Sequence, residues 1–154
     1  MRLVNKILLV EDDTAIREAF SVILQLGGNC EVTTAENGQV AISLCHENTY
    51  DLILLDIMMP VLDGTGFLKE YSSRYPDAGT KIIIMSNLSS GSELSIAQDY
   101  GVDRLVLKSS LTPEKLISIV GGVLAGKRQD EQITMSDHKD SPDNSDGSTV
   151  TEAT

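Results

Sequence analysis

The sequence has no tryptophan, and aromatic residues make up only 4% of it. Hydrophobic residues still reach 41%, so a core is expected and must be mostly aliphatic. Cysteine is scarce: Cys30 and Cys45 stand apart, with no Cys-x-x-Cys spacing. That argues against a disulfide framework or a zinc site and suits a reducing cytoplasm. Basic residues are outnumbered, with 12 Lys and Arg against 23 Asp and Glu, a formal net charge of -11 over 154 residues. Such a chain repels a phosphate backbone, so direct DNA binding is not expected. No apolar run approaches the roughly 18 to 20 residues that span a bilayer, so no membrane association is expected. Met1 to Lys6 lacks the apolar stretch and cleavage site of a secretion signal.

The charge is unevenly distributed. Residues 127–154 hold Lys127, Arg128 and Lys139 against Asp130, Glu131, Asp137, Asp140, Asp143, Asp146 and Glu152. Their net charge is -4, which leaves -7 for residues 1–126. The apolar residues there are Ile133, Met135, Val150 and Ala153, without periodicity. Such a segment buries too little to offset the entropy of ordering it, so it reads as an acidic, disordered tail behind one folded domain, 1–126.

Within 1–126, short apolar runs alternate with helical spacing. Lys6–Val10, Cys30–Ala35, Asp51–Asp56, Lys81–Met85 and Arg104–Leu107 read as strands. Between and after them, Thr14–Leu26, Gly38–Cys45, Gly64–Tyr75, Ser92–Tyr100 and Pro113–Leu124 read as helices, with Gly27-Gly28, Pro76 and Gly101 as stops. Apolar strands joined by helices imply parallel pairing and a doubly wound α/β domain, a sheet covered on both faces. Ligands in such sheets sit beyond the carboxyl ends of the strands.

The strand ends are polar. The first delivers Glu11, Asp12 and Asp13, the third Asp56, the fourth Ser86 and the fifth Lys108. Two carboxylates at ~4 Å repel by about 4 kcal/mol at an effective dielectric near 20, and a cation or a proton relieves that. A cluster of hard oxygens open to water suits Mg²⁺, with Mn²⁺ able to substitute. Asp13 reads differently, as the cap of the helix that follows. An ionised Asp56 beside a cation is able to attack phosphorus and hold the product as an acyl phosphate. Lys108 and Ser86 then offer a charge and a hydroxyl to the transferred oxygens.

The runs Leu8-Leu9-Val10-Glu11-Asp12-Asp13, Leu54-Leu55-Asp56-Ile57-Met58-Met59-Pro60-Val61-Leu62-Asp63-Gly64, Ile84-Met85-Ser86 and Val106-Leu107-Lys108 resemble the receiver domain of two-component response regulators, the CheY-like family. The resemblance covers about residues 5–126. It implies a flavodoxin-like (βα)5 sandwich with a five-stranded parallel sheet in the order 2-1-3-4-5. It also implies roles. Asp56 accepts the phosphoryl group from a sensor histidine kinase or a histidine phosphotransfer protein. Glu11, Asp12, Asp56 and the backbone carbonyl of Met58 hold Mg²⁺. Lys108 binds the phosphoryl oxygens, and Ser86 moves toward them as the switch. Pro60 shapes the loop, and Asp63-Gly64 forms the turn after it. A domain of this kind signals rather than turns over a substrate, beyond a slow loss of its own phosphoryl group.

Three positions depart from the family pattern. Leu105 stands where an aromatic is usual, so coupling by ring rotation is replaced by aliphatic repacking or backbone shifts. Ser109 stands where proline is usual. A cis bond without proline costs about 2.5 to 4 kcal/mol, so a trans loop is expected. Asn87 stands where a small residue is usual. The family's interaction face corresponds to about Ser92 to Leu124, where Ile96, Tyr100, Leu105 and Leu107 read mostly as core. With no DNA-reading or enzyme module evident, the expected output is a stand-alone regulator acting through protein contacts, as a monomer or a phosphorylation-dependent dimer. Two other readings stay open: a module that binds its partner without phosphate, and a Mg²⁺-dependent phosphohydrolase using Asp56. The second lacks an acid/base two residues on, where Met58 stands.

Overall fold

The computed structural model describes residues 4–87 and 91–126. The acidic segment 127–154 lies outside the described residues. In chain order the elements are β1 (Asn5–Val10), α1 (Thr14–Gly27), β2 (Cys30–Ala35), α2 (Gly38–Glu47), β3 (Leu52–Asp56), α3 (Gly64–Arg74), β4 (Lys81–Ser86), α4 (Ser92–Asp99), β5 (Arg104–Leu107), a 3₁₀ turn (Lys108–Ser110) and α5 (Pro113–Leu124). The strands form one parallel sheet in the order β2-β1-β3-β4-β5. This is the flavodoxin-like α/β fold expected from the sequence.

Alternation along the central strands divides the core. On one face Leu8, Val10, Ile53, Leu55 and Ile84 pack with Phe67, Leu68 and Tyr71 of α3, Ile42 of α2 and Ala97 of α4. On the other, Ile7, Leu9, Leu52, Leu54, Ile83 and Met85 pack with Leu24 of α1 and Leu116, Val120 and Val123 of α5. A strand buried on both sides must be apolar at every position, which is why β1 and β3 read as unbroken aliphatic runs. Each fully buried Leu or Ile contributes about 1.5 to 3 kcal/mol. Ile96, Tyr100 and Leu105 pack against the first cluster, in keeping with their reading as core.

Short polar side chains set where elements begin. Asp13, Asn37, Asp63 and Thr112 cap α1, α2, α3 and α5, each accepting a backbone N–H three residues on. Asp51 accepts the Lys6 N–H at 2.7 Å, so it anchors the entry of β1 and stands just outside β3. Asp103 accepts the Ile82 N–H at 2.8 Å in the same way. From β2 the chain crosses back over β1 to reach β3, and this reversal opens a crevice beyond the carboxyl ends of β1 and β3.

Both cysteines are buried and free. Burial pushes the Cys45 thiol up to about 11 and raises that of Cys30. The thiolate is the reactive form, so both should resist alkylation at pH 8 in the folded protein. Labelling with a maleimide, followed by intact mass, should show two slow sites that become fast in denaturant. A fast native site would show that one thiol is open to water.

Candidate functional site

Glu11 continues β1 by one residue, its N–H donating to the Ala35 carbonyl at 3.0 Å. The side chain is fully buried. Its Oε1 accepts the Asp13 N–H at 3.1 Å. Asp12 follows on the exposed side, and Asp13 turns away to cap α1 through the Ile16 N–H at 3.0 Å. Arg17, one turn into α1, reaches back and donates to the Glu11 carbonyl at 2.8 Å and the Asp12 carbonyl at 3.3 Å. It clasps the backbone of the acid pair and leaves the carboxylates free to face the crevice.

Asp56 ends β3 and is 4% exposed. Its Oδ1 accepts the Met58 N–H at 3.3 Å. The loop then returns to the strand end, where the Gly64 N–H donates to the Ile57 carbonyl at 2.9 Å. A Cβ at Gly64 would fall on the Asp56 carbonyl, so only glycine lets α3 start this close to the strand. Lys108 opens the 3₁₀ turn after β5. Its Nζ donates to Glu11 Oε1 at 2.9 Å and to Asp56 Oδ2 at 3.1 Å, and lies 2.7 Å from Glu11 Oε2. Glu11, Asp12 and Asp56 each offer a carboxylate oxygen, all within 4.8 Å of one another.

Two opposed effects act on this group. Burial raises the Glu11 carboxyl, the Lys108 hydrogen bond pulls it back, and the charge on Asp56 raises it further. Burial likewise raises Asp56, against the pull of Lys108. Burial works against the Lys108 charge, but its bonds to Glu11 and Asp56 carry it above the ordinary lysine range. One ammonium thus serves two buried acids, and a third acid stands beside them in water. The donor set fits a hard divalent cation: oxygen ligands, excess negative charge and open access. Glu11 Oε2 lacks a hydrogen bond of its own, although the ammonium lies close by.

The cleft above the acids encloses about 380 Å³ and is lined by Glu11, Asp12, Asp13, Ile16, Asp56, Met58, Asn87, Lys108 and Ser109. The structure therefore brings Glu11, Asp12, Asp56, Met58 and Lys108 together, as the sequence suggested. Ser86 lies buried at the end of β4, and its neighbour Asn87 lines the cleft. Ser109 lies there too, and the described residues contain no cis peptide, in keeping with the trans loop expected after Lys108. The clasp by Arg17 was not anticipated. Its only trace in the sequence is a basic residue one helical turn beyond the acid pair.

Removing the ammonium should leave two buried acids facing each other. Lys108→Met should lower the stability of the metal-free protein by about 3 kcal/mol, the scale for breaking a buried ion pair from one side. Urea unfolding in EDTA measures this, and added Mg²⁺ should restore part of the loss. An unchanged midpoint would show that the ammonium does not offset the acids.

Residues 7–121 match the family model described as the response regulator receiver domain. The chain is 32% identical over 134 residues to the "Probable transcriptional regulator ycf27" of Guillardia theta, covering 87% of this chain and 50% of that protein. It is 32% identical over 115 residues to the "Gliding motility regulatory protein" of Myxococcus xanthus, covering 75% of this chain and 15% of that one. The chain thus spans about half, or less, of the length of these relatives. Among solved structures, a CheY-like receiver domain protein from Methanospirillum hungatei JF-1 superposes with a TM-score of 0.73 at 27% identity, covering 80% of this chain and 96% of that one. The chemotaxis response regulator CheY4 of Vibrio cholerae gives 0.68 at 28% identity, covering 78% and 98%. With its sheet order, its acid-lined cleft and a match across most of the described residues, the chain belongs to the response regulator receiver domain family.

Proposed function

We propose that this receiver takes a phosphoryl group onto Asp56 from a phosphohistidine of a sensor kinase or phosphotransfer protein, and signals through protein contacts. The observation that carries this reading is the placement of Lys108 between Glu11 and Asp56, with three carboxylate oxygens gathered within 4.8 Å at the mouth of the cleft.

Glu11, Asp12, Asp56 and the Met58 carbonyl would hold Mg²⁺, with Mn²⁺ as a substitute. Bound there, the ion neutralises charge on the transferring phosphoryl group. The remaining work falls to the side chains. An Asp56 carboxylate oxygen attacks phosphorus, the O–P bond forms and the N–P bond to histidine breaks. The departing imidazole keeps or gains its proton. Lys108, already bonded to Asp56, turns its charge to the phosphoryl oxygens as they arrive. Ser86 then moves from its buried position at the end of β4 to offer its hydroxyl, and Leu105 repacks behind it on the same face.

The family is a signalling domain, and slow loss of the chain's own phosphoryl group is the extent of the catalysis proposed. Two matched relatives are named as regulators of transcription or motility. For residues 1–126 the proposed output is a contact with another protein, with no direct DNA binding, and with dimerisation only upon phosphorylation. The proposed setting is the cytoplasm. No helix among the described residues is long and apolar enough to cross a membrane.

Incubation with acetyl phosphate and Mg²⁺ should add one phosphoryl mass, seen in intact mass spectra and lost in mild base. Asp56→Asn should abolish the adduct, and EDTA should prevent it. An adduct that persists in Asp56→Asn would place the acceptor elsewhere. Partner binding indifferent to Asp56→Ala would favour a module that works without phosphate.

A further inference from the structure

Between β1 and α1 the main chain passes from one hydrogen-bond pattern to another. The Glu11 N–H still joins the sheet, donating to the Ala35 carbonyl at 3.0 Å, and the Arg17 N–H opens the helical pattern by donating to the Asp13 carbonyl at 2.9 Å. The Glu11 and Asp12 carbonyls fall between the two patterns, where a partner has to come from elsewhere. The Arg17 side chain supplies it. Nη1 donates to the Glu11 carbonyl at 2.8 Å and to the Asp12 carbonyl at 3.3 Å, and Nη2 to the Thr14 hydroxyl at 3.4 Å. The first of these is the short, strong bond, and the longer two set the angle of the guanidinium around it.

Holding two successive carbonyls fixes two peptide planes, because only φ and ψ turn between them. That sets the direction in which the Asp12 side chain leaves the chain. Glu11 and Asp56 are held in the cleft through their own carboxylates, by the Asp13 N–H, the Met58 N–H and Lys108. Asp12 is exposed, yet it offers a carboxylate oxygen within 4.8 Å of those of Glu11 and Asp56. Its place in the cluster rests on the backbone that Arg17 holds.

We propose that Arg17 is a positioning residue for the cation: it grips the main chain of Glu11 and Asp12 and so keeps Asp12 aimed into the cleft. The inference rests on the reading of that cleft as a cation site. Groups that orient metal ligands without meeting the metal carry about ten- to a hundred-fold of its affinity. Charge alone acts with the opposite sign. A guanidinium bonded to the backbone of two acids of the cluster repels a divalent ion, so by Coulomb's law its removal should tighten binding. The sign of the change therefore separates positioning from plain electrostatics.

The test titrates Mg²⁺ alone into the full chain by calorimetry, for the wild type, Arg17→Met and Arg17→Lys. Methionine keeps the unbranched stem and suits a helix, so α1 is not weakened by the change itself. Arg17→Met should bind Mg²⁺ about ten-fold or more weakly than the wild type. Arg17→Lys keeps the charge but not the fork of donors, and should also bind more weakly than the wild type. Arg74→Met removes the same charge at the far end of α3, where Arg74 pairs with Glu70, and should leave Mg²⁺ affinity unchanged. Melting of each variant in EDTA separates a loss of folding from a loss of aim. Arg17→Met that binds Mg²⁺ as tightly as the wild type, or more tightly, would overturn the proposal. So would a lower melting temperature with unchanged affinity in the folded protein, which is what a purely structural role would give. A wild type that binds no Mg²⁺ would sink the cleft reading itself, and the positioning role with it.

Discussion

Everything in the upper half of this domain follows from carboxylates forced together by strand ends. Parallel strands place their carboxyl ends on one edge, and the crossing from β2 over β1 to β3 sets Glu11 and Asp12 beside Asp56. Water cannot relieve Glu11, which is fully buried, and among the described residues only the Lys108 ammonium is at hand. The fold tolerates this because the aliphatic core beneath it is continuous on both faces of the sheet. The excess of negative charge fits the cleft to a hard divalent cation, on which the proposed phosphoryl transfer relies.

Under the proposed function Lys108 has two tasks that compete. It bridges Glu11 and Asp56, and it is the main offset to their burial. In the proposed phosphoryl transfer it would also be needed by the incoming oxygens. A cation that took over the charge of Glu11 and Asp12 would release Lys108 for that second task. The same reasoning links site and loop, since Asp56 gives one oxygen to Lys108 and the other to Met58. Whatever occupies Asp56 is felt in both directions at once.

The fold was legible because β1, β3 and β4 are buried on both faces and had to be written as apolar runs. Element ends were less so: β4 runs one residue further than its apolar stretch suggests, to Ser86, and β3 starts after Asp51, whose side chain serves β1 instead. Glu11, Asp12, Asp56 and Lys108 could be found because each directly follows a strand. The Arg17 clasp could not, because a long side chain on a helix points to many backbone carbonyls and the sequence does not say which. Nor could the positive φ of Val61, since valine in a loop ordinarily signals nothing of the kind. Leu105 was legible as an absence of an aromatic, and the structure shows it packed against the α4 side of the core.

The central claim is that the Glu11, Asp12 and Asp56 cluster is costly to the fold until a cation arrives. Thermal unfolding of the wild type and Asp12→Asn, each in EDTA and in millimolar Mg²⁺, tests it most directly. The account predicts that Asp12→Asn melts higher than the wild type in EDTA, because a like charge has gone, and gains little from Mg²⁺. The wild type should gain several degrees, an effect of about 1 kcal/mol or more in a domain of this size. A lower melting temperature for Asp12→Asn in EDTA, with Mg²⁺ raising both proteins equally, would contradict it.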